Sequence, residues 1–255
     1  MLAAPIVAGL LTQSVVASSR CYYGQSCFPS NADLTAFNST VGGRLVAIRP
    51  LQSVCYAGSE LNLGACADVN TNYPNDTYRY VTTPHNPFTV SFIKMSRSNH
   101  ISAYEQINFE DCGSDSCTNT LGANLPGTCG QGSVPRYGVM AQSPFDVTLA
   151  VNFAKLHNLK VAIKNTGHDY IGRSAAKDSF MIWTHDMLDN LYRESFVPQW
   201  CSASPVKALT FGAGVQFDQA YKFADANNVT LVGGDSGQVC TQKMLTPLTC
   251  LSLLF

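Results

Sequence analysis

The sequence has few charged residues and no marked excess of either sign. Of its 255 residues, 13% are charged, and the formal net charge is −1. Proteins that bind nucleic acid usually carry a basic face, and acidic tails need a run of carboxylates. The sequence has neither feature, so we expect no nucleic-acid partner.

Metal-binding spacings are also missing. None of the ten cysteines forms a C-x-x-C pair, and none of the five histidines lies four residues from another. We therefore expect no metal site, and the cysteines favour disulfide bonds. Eight of them could form four bridges, whose pairing the sequence leaves open: Cys21, Cys27, Cys55, Cys66, Cys112, Cys117, Cys129 and Cys201.

No apolar run near the N-terminus is long enough to span a membrane. Residues 2–16 are mostly apolar but include Pro5, and they lead into small residues that end at Ala17. This pattern predicts a signal peptide over 1–17, a secreted, extracellular protein and no membrane partner. Three sequons for N-glycosylation, at Asn38, Asn75 and Asn228, agree with secretion.

Residues 18–132 are rich in Cys, Asn, Ser, Pro and Gly, with short apolar runs such as 45–48 and 88–93. This composition predicts short strands and loops held by disulfides. A second region, 133–239, alternates helical and strand patterns. The tail, 240–255, has no clear amphipathic pattern, and we expect it to be unstructured.

The first helix of the second region has a clear start. Ser143 suits the N-cap, Pro144 the first helical position and Asp146 the positive helix end, while Asn158 suits the end of the helix. One apolar face is predicted from Val147, Ala150, Val151 and Ala154. A strand should follow, because apolar residues alternate over 159–164.

A second unit repeats this plan. Phe217, Ala220, Tyr221 and Ala224 form a helical face, Asn227 and Asn228 end the helix, and 229–232 reads as a strand. Further strands are predicted at 180–183 and 209–211. The two helix, strand and glycine-loop units could turn their strand ends toward one ligand.

The loop after the first of these strands carries one histidine between two glycines. Gly167 and Gly172 would let the backbone turn its amides toward a phosphate, with His168 between them. From the residues alone, His168 could be a base, a metal ligand, a nucleophile or a histidine that only bonds to its own loop.

Two other motifs are incomplete. The segment 234–237 has the Gly-Asp-Ser-Gly sequence of trypsin-like proteases, but Gln238 follows where a glycine is expected. Gly212 and Gly214 resemble the start of a dinucleotide fingerprint, but Phe217 stands at the third glycine position. Both a protease and a nicotinamide-dependent dehydrogenase are therefore disfavoured, and the second stays as an alternative.

The segment 164–174, Lys-Asn-Thr-Gly-His-Asp-Tyr-Ile-Gly-Arg-Ser, resembles the flavin-attachment loop of secreted fungal FAD-linked oxidoreductases. These enzymes carry a p-cresol methylhydroxylase-type FAD-binding domain, include berberine-bridge-enzyme-like proteins, and belong to the vanillyl-alcohol oxidase superfamily. The resemblance also covers 134–137, 144–147, 183–185 and 211–215, and upstream 27–30 and 37–45.

The resemblance implies an α+β fold with part of this FAD-binding domain behind a disulfide-bearing N-terminal region. It implies a single covalent bond from FAD to His168, oxidation of an alcohol- or amine-type donor, and reoxidation by dioxygen. Cofactor-binding residues would be Asn165, Thr166, Gly167, His168, Asp169, Tyr170, Gly172, Arg173, Ser174, Gly212, Gly214, Gly233, Gly234, Asp235 and Ser236.

The similarity ends near Val239, before the part in which the family's catalytic base is expected. We therefore expect a C-terminally truncated monomer that binds flavin poorly and has little activity by itself. Its catalytic residues and substrate cannot be assigned from the sequence. The alternative from another class is a secreted glycoprotein fragment without enzymatic activity.

Overall fold

The computed structural model describes residues 20–73, 115–117, 122–169, 171–197 and 204–241. Several predicted features lie outside these residues: the signal peptide, the Asn75 sequon, the strand at 88–93, Cys112, Tyr170, Cys201 and the tail beyond 241.

A four-stranded sheet organises the described part of the chain. Its strands are β1 (Leu45–Ala47), β2 (Tyr137–Met140), β3 (Lys160–Lys164) and β4 (Ser179–Trp183), in the order β1-β2-β4-β3. β1 runs antiparallel to β2, and the other neighbours are parallel. All of β4 is buried, as its continuous apolar sequence predicts for an inner parallel strand.

The other regular elements of the described residues include four α-helices and a two-stranded hairpin. The helices are α1 (Asn31–Thr40), α2 (Leu63–Asn72), α3 (Pro144–Leu156) and α4 (Phe217–Ala226). The hairpin pairs β5 (Asn190–Phe196) with β6 (Val206–Phe211) in antiparallel register.

The predicted start of α3 is confirmed in detail. The Ser143 hydroxyl accepts from the Asp146 N–H, and the Asp146 carboxylate accepts in return from the Ser143 N–H, which forms a capping box. Asn158 follows the helix with a φ of 51°, as expected of its terminator. The predicted apolar face is only partly right, because Phe153 is buried whereas Val151 is 44% exposed.

Helices α1 and α3 pack on one face of the sheet. The rings of Phe37 and Phe153 stack with centroids 4.0 Å apart, and both contact Phe180 of β4. The opposite face of the sheet carries a second cluster, which includes Met181, Trp183 and Ala175. Strand β1 and helix α1 therefore share a sheet and a core with elements that follow residue 133.

The prediction that 18–132 contains only short strands and loops is wrong. Both α1 and α2 lie there, and each begins at a side-chain cap, Ser30 for α1 and Asn62 for α2. The capping box between Ser30 and Asp33 overrides the loop-like composition, because it satisfies amides that would otherwise be left unpaired at the helix start.

The predicted strand at 229–232 is also wrong. These residues pair with no strand in the described part of the chain, and Val232 is 60% exposed. The Val229 N–H instead bonds to the Ala224 carbonyl and closes the end of α4. The second unit thus has the predicted helix without the strand, whereas the strands predicted at 180–183 and 209–211 are confirmed as parts of β4 and β6.

Six of the eight cysteines singled out form three disulfides, Cys21–Cys27, Cys55–Cys66 and Cys117–Cys129. Each joins cysteines that are neighbours in sequence order. Among the helices of the described residues, none has the length and apolar character that a membrane crossing requires.

Candidate functional site

The candidate site lies where β3 and β4 end, at the carboxyl edge of the parallel strands. We call residues 165–174, which follow β3, the histidine loop. Gly167 has a φ of 96° and Gly172 a φ of 76°, both in the left-handed region that favours glycine. Both glycines thus turn the backbone of the loop, and their predicted approach to a phosphate stays a prediction.

Asn165 holds the histidine loop against two neighbouring segments. Its backbone carbonyl accepts a hydrogen bond of 2.6 Å from the Trp183 indole, and its side-chain amide donates to the Ala213 carbonyl. Its Oδ1 also lies 3.4 Å from Nδ1 of His185. One side chain thus joins the ends of β3, β4 and β6 at the same edge.

His168 connects the histidine loop to the segment after α4. Its ring is half-buried, and Nε2 lies 3.2 Å from the backbone carbonyl of Gln238. Because a carbonyl only accepts, this contact requires the proton on Nε2. In the neutral ring the lone pair is then on Nδ1, which is the nucleophilic nitrogen.

The second half of the histidine loop is bonded around Asp169. The Asp169 carboxylate accepts from the Arg173 N–H and pairs with the Arg173 guanidinium at 2.8 Å, and the Gly172 N–H bonds to the Asp169 carbonyl. The side-chain hydrogen bond from Arg173 is the main cause that lowers the pKa of Asp169, and the Ser174 N–H lowers it further. Arg173 is 76% exposed, so its charge is both neutralised and turned to solvent.

The first half of the histidine loop differs from the second half in the hydrogen bonding of its backbone amides. Thr166 and Gly167 are buried, and neither backbone N–H has a hydrogen-bond acceptor among the described residues. Buried amides without partners are rare in folded proteins, because each costs about 1–3 kcal/mol. Two successive amides of this kind form a site suited to an anion.

Two enclosed hydroxyl groups also lack partners in the described structure. They are Oγ of Ser174, at the end of the histidine loop, and Oγ of Ser236, two residues before Gln238. Asp235 beside Ser236 is exposed. Phosphate oxygens can accept hydrogen bonds from all four groups, the amides of Thr166 and Gly167 and the hydroxyls of Ser174 and Ser236. These donors therefore fit the diphosphate of a dinucleotide.

The remaining predicted glycines pack against protein. A Cβ on Gly212 would lie 2.3 Å from the Met187 carbonyl oxygen, and one on Gly214 would lie 2.2 Å from that of His185. A Cβ on Gly233 would overlap the Phe217 ring at 2.3 Å, and Gly234 lies against the same ring. These glycines let the turns after β4 and β6 and the segment after α4 approach closely.

The structure thus brings together the three predicted segments at 165–174, 212–214 and 233–236, while Tyr170 lies outside the described residues. Sequence reasoning did not identify Gln238, because it contributes a backbone carbonyl that any residue would supply. It also did not assign Lys164, Trp183 or His185 to the site. The only sequence signal for these three residues was that Lys164 precedes the histidine loop and that Trp183 and His185 lie at the end of β4.

Comparison with curated proteins identifies fungal relatives. No protein-family model matches the chain. The FAD-linked oxidoreductase easE of Claviceps fusiformis is 34% identical over 222 residues, which are 85% of this chain and 35% of that protein. The FAD-linked oxidoreductase OXR2 of Pyricularia oryzae is 34% identical over 217 residues, 83% of this chain and 36% of that protein. The chain spans about a third of the length of these relatives.

Two solved structures share the fold. The VAO-type flavoprotein MtVAO713 from Myceliophthora thermophila C1 matches with a TM-score of 0.67 and 30% identity, over 87% of this chain and 36% of that one. MtVAO615 from the same organism matches with a TM-score of 0.64 and 27% identity, over the same shares. The predicted α+β fold and the resemblance to FAD-linked oxidoreductases are confirmed.

Proposed function

Because this chain is a homologue of the fungal FAD-linked oxidoreductases with a VAO-type fold, we propose that it binds FAD at the histidine loop and serves in the oxidation of a small-molecule donor. Bound FAD would take a hydride from an alcohol- or amine-type donor and pass the electrons to dioxygen, which gives hydrogen peroxide. The residues of this chain bind, orient and attach the cofactor.

The pair of buried amides at Thr166 and Gly167 is the observation that carries the proposal. The diphosphate of FAD is an anion, and it would supply the acceptors that these two N–H groups lack. The enclosed hydroxyls of Ser174, at the end of the histidine loop, and Ser236, two residues before Gln238, add two further donors. The amides of Gly172, Arg173 and Ser174 already bond to Asp169, so we place the diphosphate at the first half of the loop.

His168 is the proposed point of covalent attachment. The Gln238 carbonyl accepts from Nε2–H, so Nδ1 would be the nitrogen that bonds to the 8α-methyl carbon of the flavin. The new C–N bond would replace one C–H bond of that carbon and the ring N–H, and dioxygen would take up the two hydrogens as hydrogen peroxide. We propose this single linkage, because Ser236 stands where some members of the family that the sequence resembles have a cysteine that forms a second bond to the flavin. The catalytic base of the reaction remains unassigned.

We also propose that the protein is secreted and monomeric. Three disulfides among the described residues suit an oxidising compartment. The sequon residue Asn228 is exposed just after α4, where a glycan would have room. Mass analysis of the protein secreted by its source, before and after deglycosylation, tests this proposal: an unmodified chain retained in cells would contradict it.

Flavin attachment is tested on a denaturing gel. The chain is incubated with FAD, unfolded, and examined for flavin fluorescence in the protein band. We expect a fluorescent band for the wild type and for His157→Ala, whose histidine lies at the end of α3 away from the site. His168→Ala should give a dark band, and equal fluorescence in that variant would refute the assignment.

Turnover is a separate question. We propose that the 255-residue chain by itself binds FAD weakly and oxidises little substrate, because it spans only about a third of the length of its relatives. The assay measures peroxide formed from a panel of alcohols and amines. Peroxide formation in proportion to donor concentration would overturn this expectation but would leave the attachment proposal intact.

A further inference from the structure

We propose that Lys164 is a buried positioning residue whose charge stabilises the diphosphate of the cofactor from behind the histidine loop. The proposal rests on the FAD site described above and adds a residue to it. Lys164 is the last residue of β3, two positions before the first of the unpartnered amides.

Lys164 is almost completely buried, with 1% of its surface exposed. Lysine is among the residues least often buried, because removing an ammonium group from water is costly. Its register partner is Trp183 on the neighbouring parallel strand, so both side chains lie on the same face of the sheet. The Lys164 Nζ lies 5.6 Å from the centroid of the Trp183 ring, within the range of a cation–π interaction that favours the charged form.

The same face is covered by the end of the histidine loop. Trp183 clusters with Ala175, the last residue of the short 3₁₀ turn Arg173–Ala175, and this turn contacts β3. Lys164 therefore lies beneath the loop rather than at its surface. It is enclosed by protein, so its charge is less screened by solvent and salt than that of an exposed lysine.

The charges of the histidine loop give the buried Lys164 ammonium a function. The histidine loop contains one arginine, and Arg173 is paired with Asp169 and exposed. The Arg173–Asp169 pair therefore leaves the negative charge of a diphosphate at Thr166 and Gly167 unbalanced within the loop. Lys164 adjoins these amides in sequence and is held in a fixed environment, so it supplies positive charge without contacting the ligand.

The test compares FAD with riboflavin, which has the same ring system but no phosphate. Binding to the full 255-residue chain is measured by flavin fluorescence for the wild type, Lys164→Met and Lys164→Arg. Lys160→Met is the matched control, because Lys160 lies on the same strand but is exposed. Thermal unfolding checks that each variant is folded.

We expect Lys164→Met to weaken FAD binding on the order of tenfold or more, the effect of one lost charge in a partly shielded site. Riboflavin binding should not change, and Lys164→Arg and Lys160→Met should bind FAD nearly as the wild type does. Unchanged FAD binding by Lys164→Met would overturn the inference. So would equal losses for FAD and riboflavin, which would indicate a purely structural role.

If Lys164→Met does not fold, Lys164→Arg decides, because weakened FAD binding by this folded, charge-retaining variant contradicts the proposal and retained binding supports it. A wild type that binds neither ligand would refute the proposed function itself, and this inference with it. The two failures are therefore distinguishable.

Discussion

Replacing Asp146 with alanine should destabilise the fold by about 2–4 kcal/mol. The Asp146 carboxylate is 2% exposed and accepts hydrogen bonds from the Gln142 and Ser143 amides at 3.0 and 3.1 Å. It also pairs with the Arg44 guanidinium, which fastens the start of α3 to the chain just before β1.

The magnitude follows from what each partner can do after the substitution. A hydrogen bond to a charged group contributes about 1.5–3 kcal/mol, and breaking a fully buried ion pair costs about 3–5 kcal/mol. Arg44 is 29% exposed, so water can solvate part of its charge, and the loss should fall below the sum of these contributions.

The assay is urea unfolding followed by circular dichroism, with Asp33→Ala as the matched control. Asp33 occupies the same capping-box position in α1, but it is exposed. We expect a much smaller shift of the urea midpoint for Asp33→Ala than for Asp146→Ala. Equal shifts would refute the reasoning, because the burial and the Arg44 partner would then add nothing.

Three further predictions concern the pKa of Asp146, the close packing of Gly214 and the Cys55–Cys66 disulfide. Burial acts to raise the pKa of Asp146, but hydrogen bonds from Gln142, Arg44 and Ser143 outweigh it and lower the pKa. The unfolded chain therefore takes up the proton first as the pH falls. The stabilisation by the Asp146 carboxylate is complete above about pH 4 and is lost as the pH falls through its folded-state pKa. Urea midpoints should fall less steeply with acid in Asp146→Asn than in the wild type. Gly214→Ala should cost about 1–3 kcal/mol in urea unfolding and reduce flavin attachment on gels, because its Cβ would overlap a backbone carbonyl; unchanged stability would contradict the close approach. Replacing Cys55 and Cys66 together with serine should lower stability by about 2–4 kcal/mol, visible as a lower thermal midpoint, because their bridge closes a loop in the unfolded chain; an unchanged midpoint would contradict this.

The parts of the fold that were predicted have strong local signals. The cap at Ser143, the proline after it and the alternation before Lys164 each depend on residues close in sequence, and they predict α3 and β3. Helix α1 also has such a signal, in Ser30 and Asp33, but the surrounding composition favoured loops. Strand β5 has a mostly polar sequence and depends on its pairing with β6.

The candidate site also has features that local sequence predicts and features that depend on strand pairing. The glycines around His168 predict a turned loop, because a left-handed backbone requires them locally. The burial of Lys164 depends on sheet order, because pairing of β3 with β4 places Lys164 beside Trp183. Among the described residues β3 lies at the end of the sheet, and Val161 and Ile163 are exposed. Alternation alone points to the valine and isoleucine as the buried face. Such long-range consequences require knowledge of which strands become neighbours.

The most direct test of the account is the mass of the tryptic peptide 165–173 after incubation of the chain with FAD. Cleavage after Lys164 and Arg173 releases a peptide in which His168 is the only histidine. We predict a flavin adduct on this peptide, with fragment ions that place it on His168. An unmodified peptide from protein that retains bound flavin, or an adduct on another segment, would contradict the account.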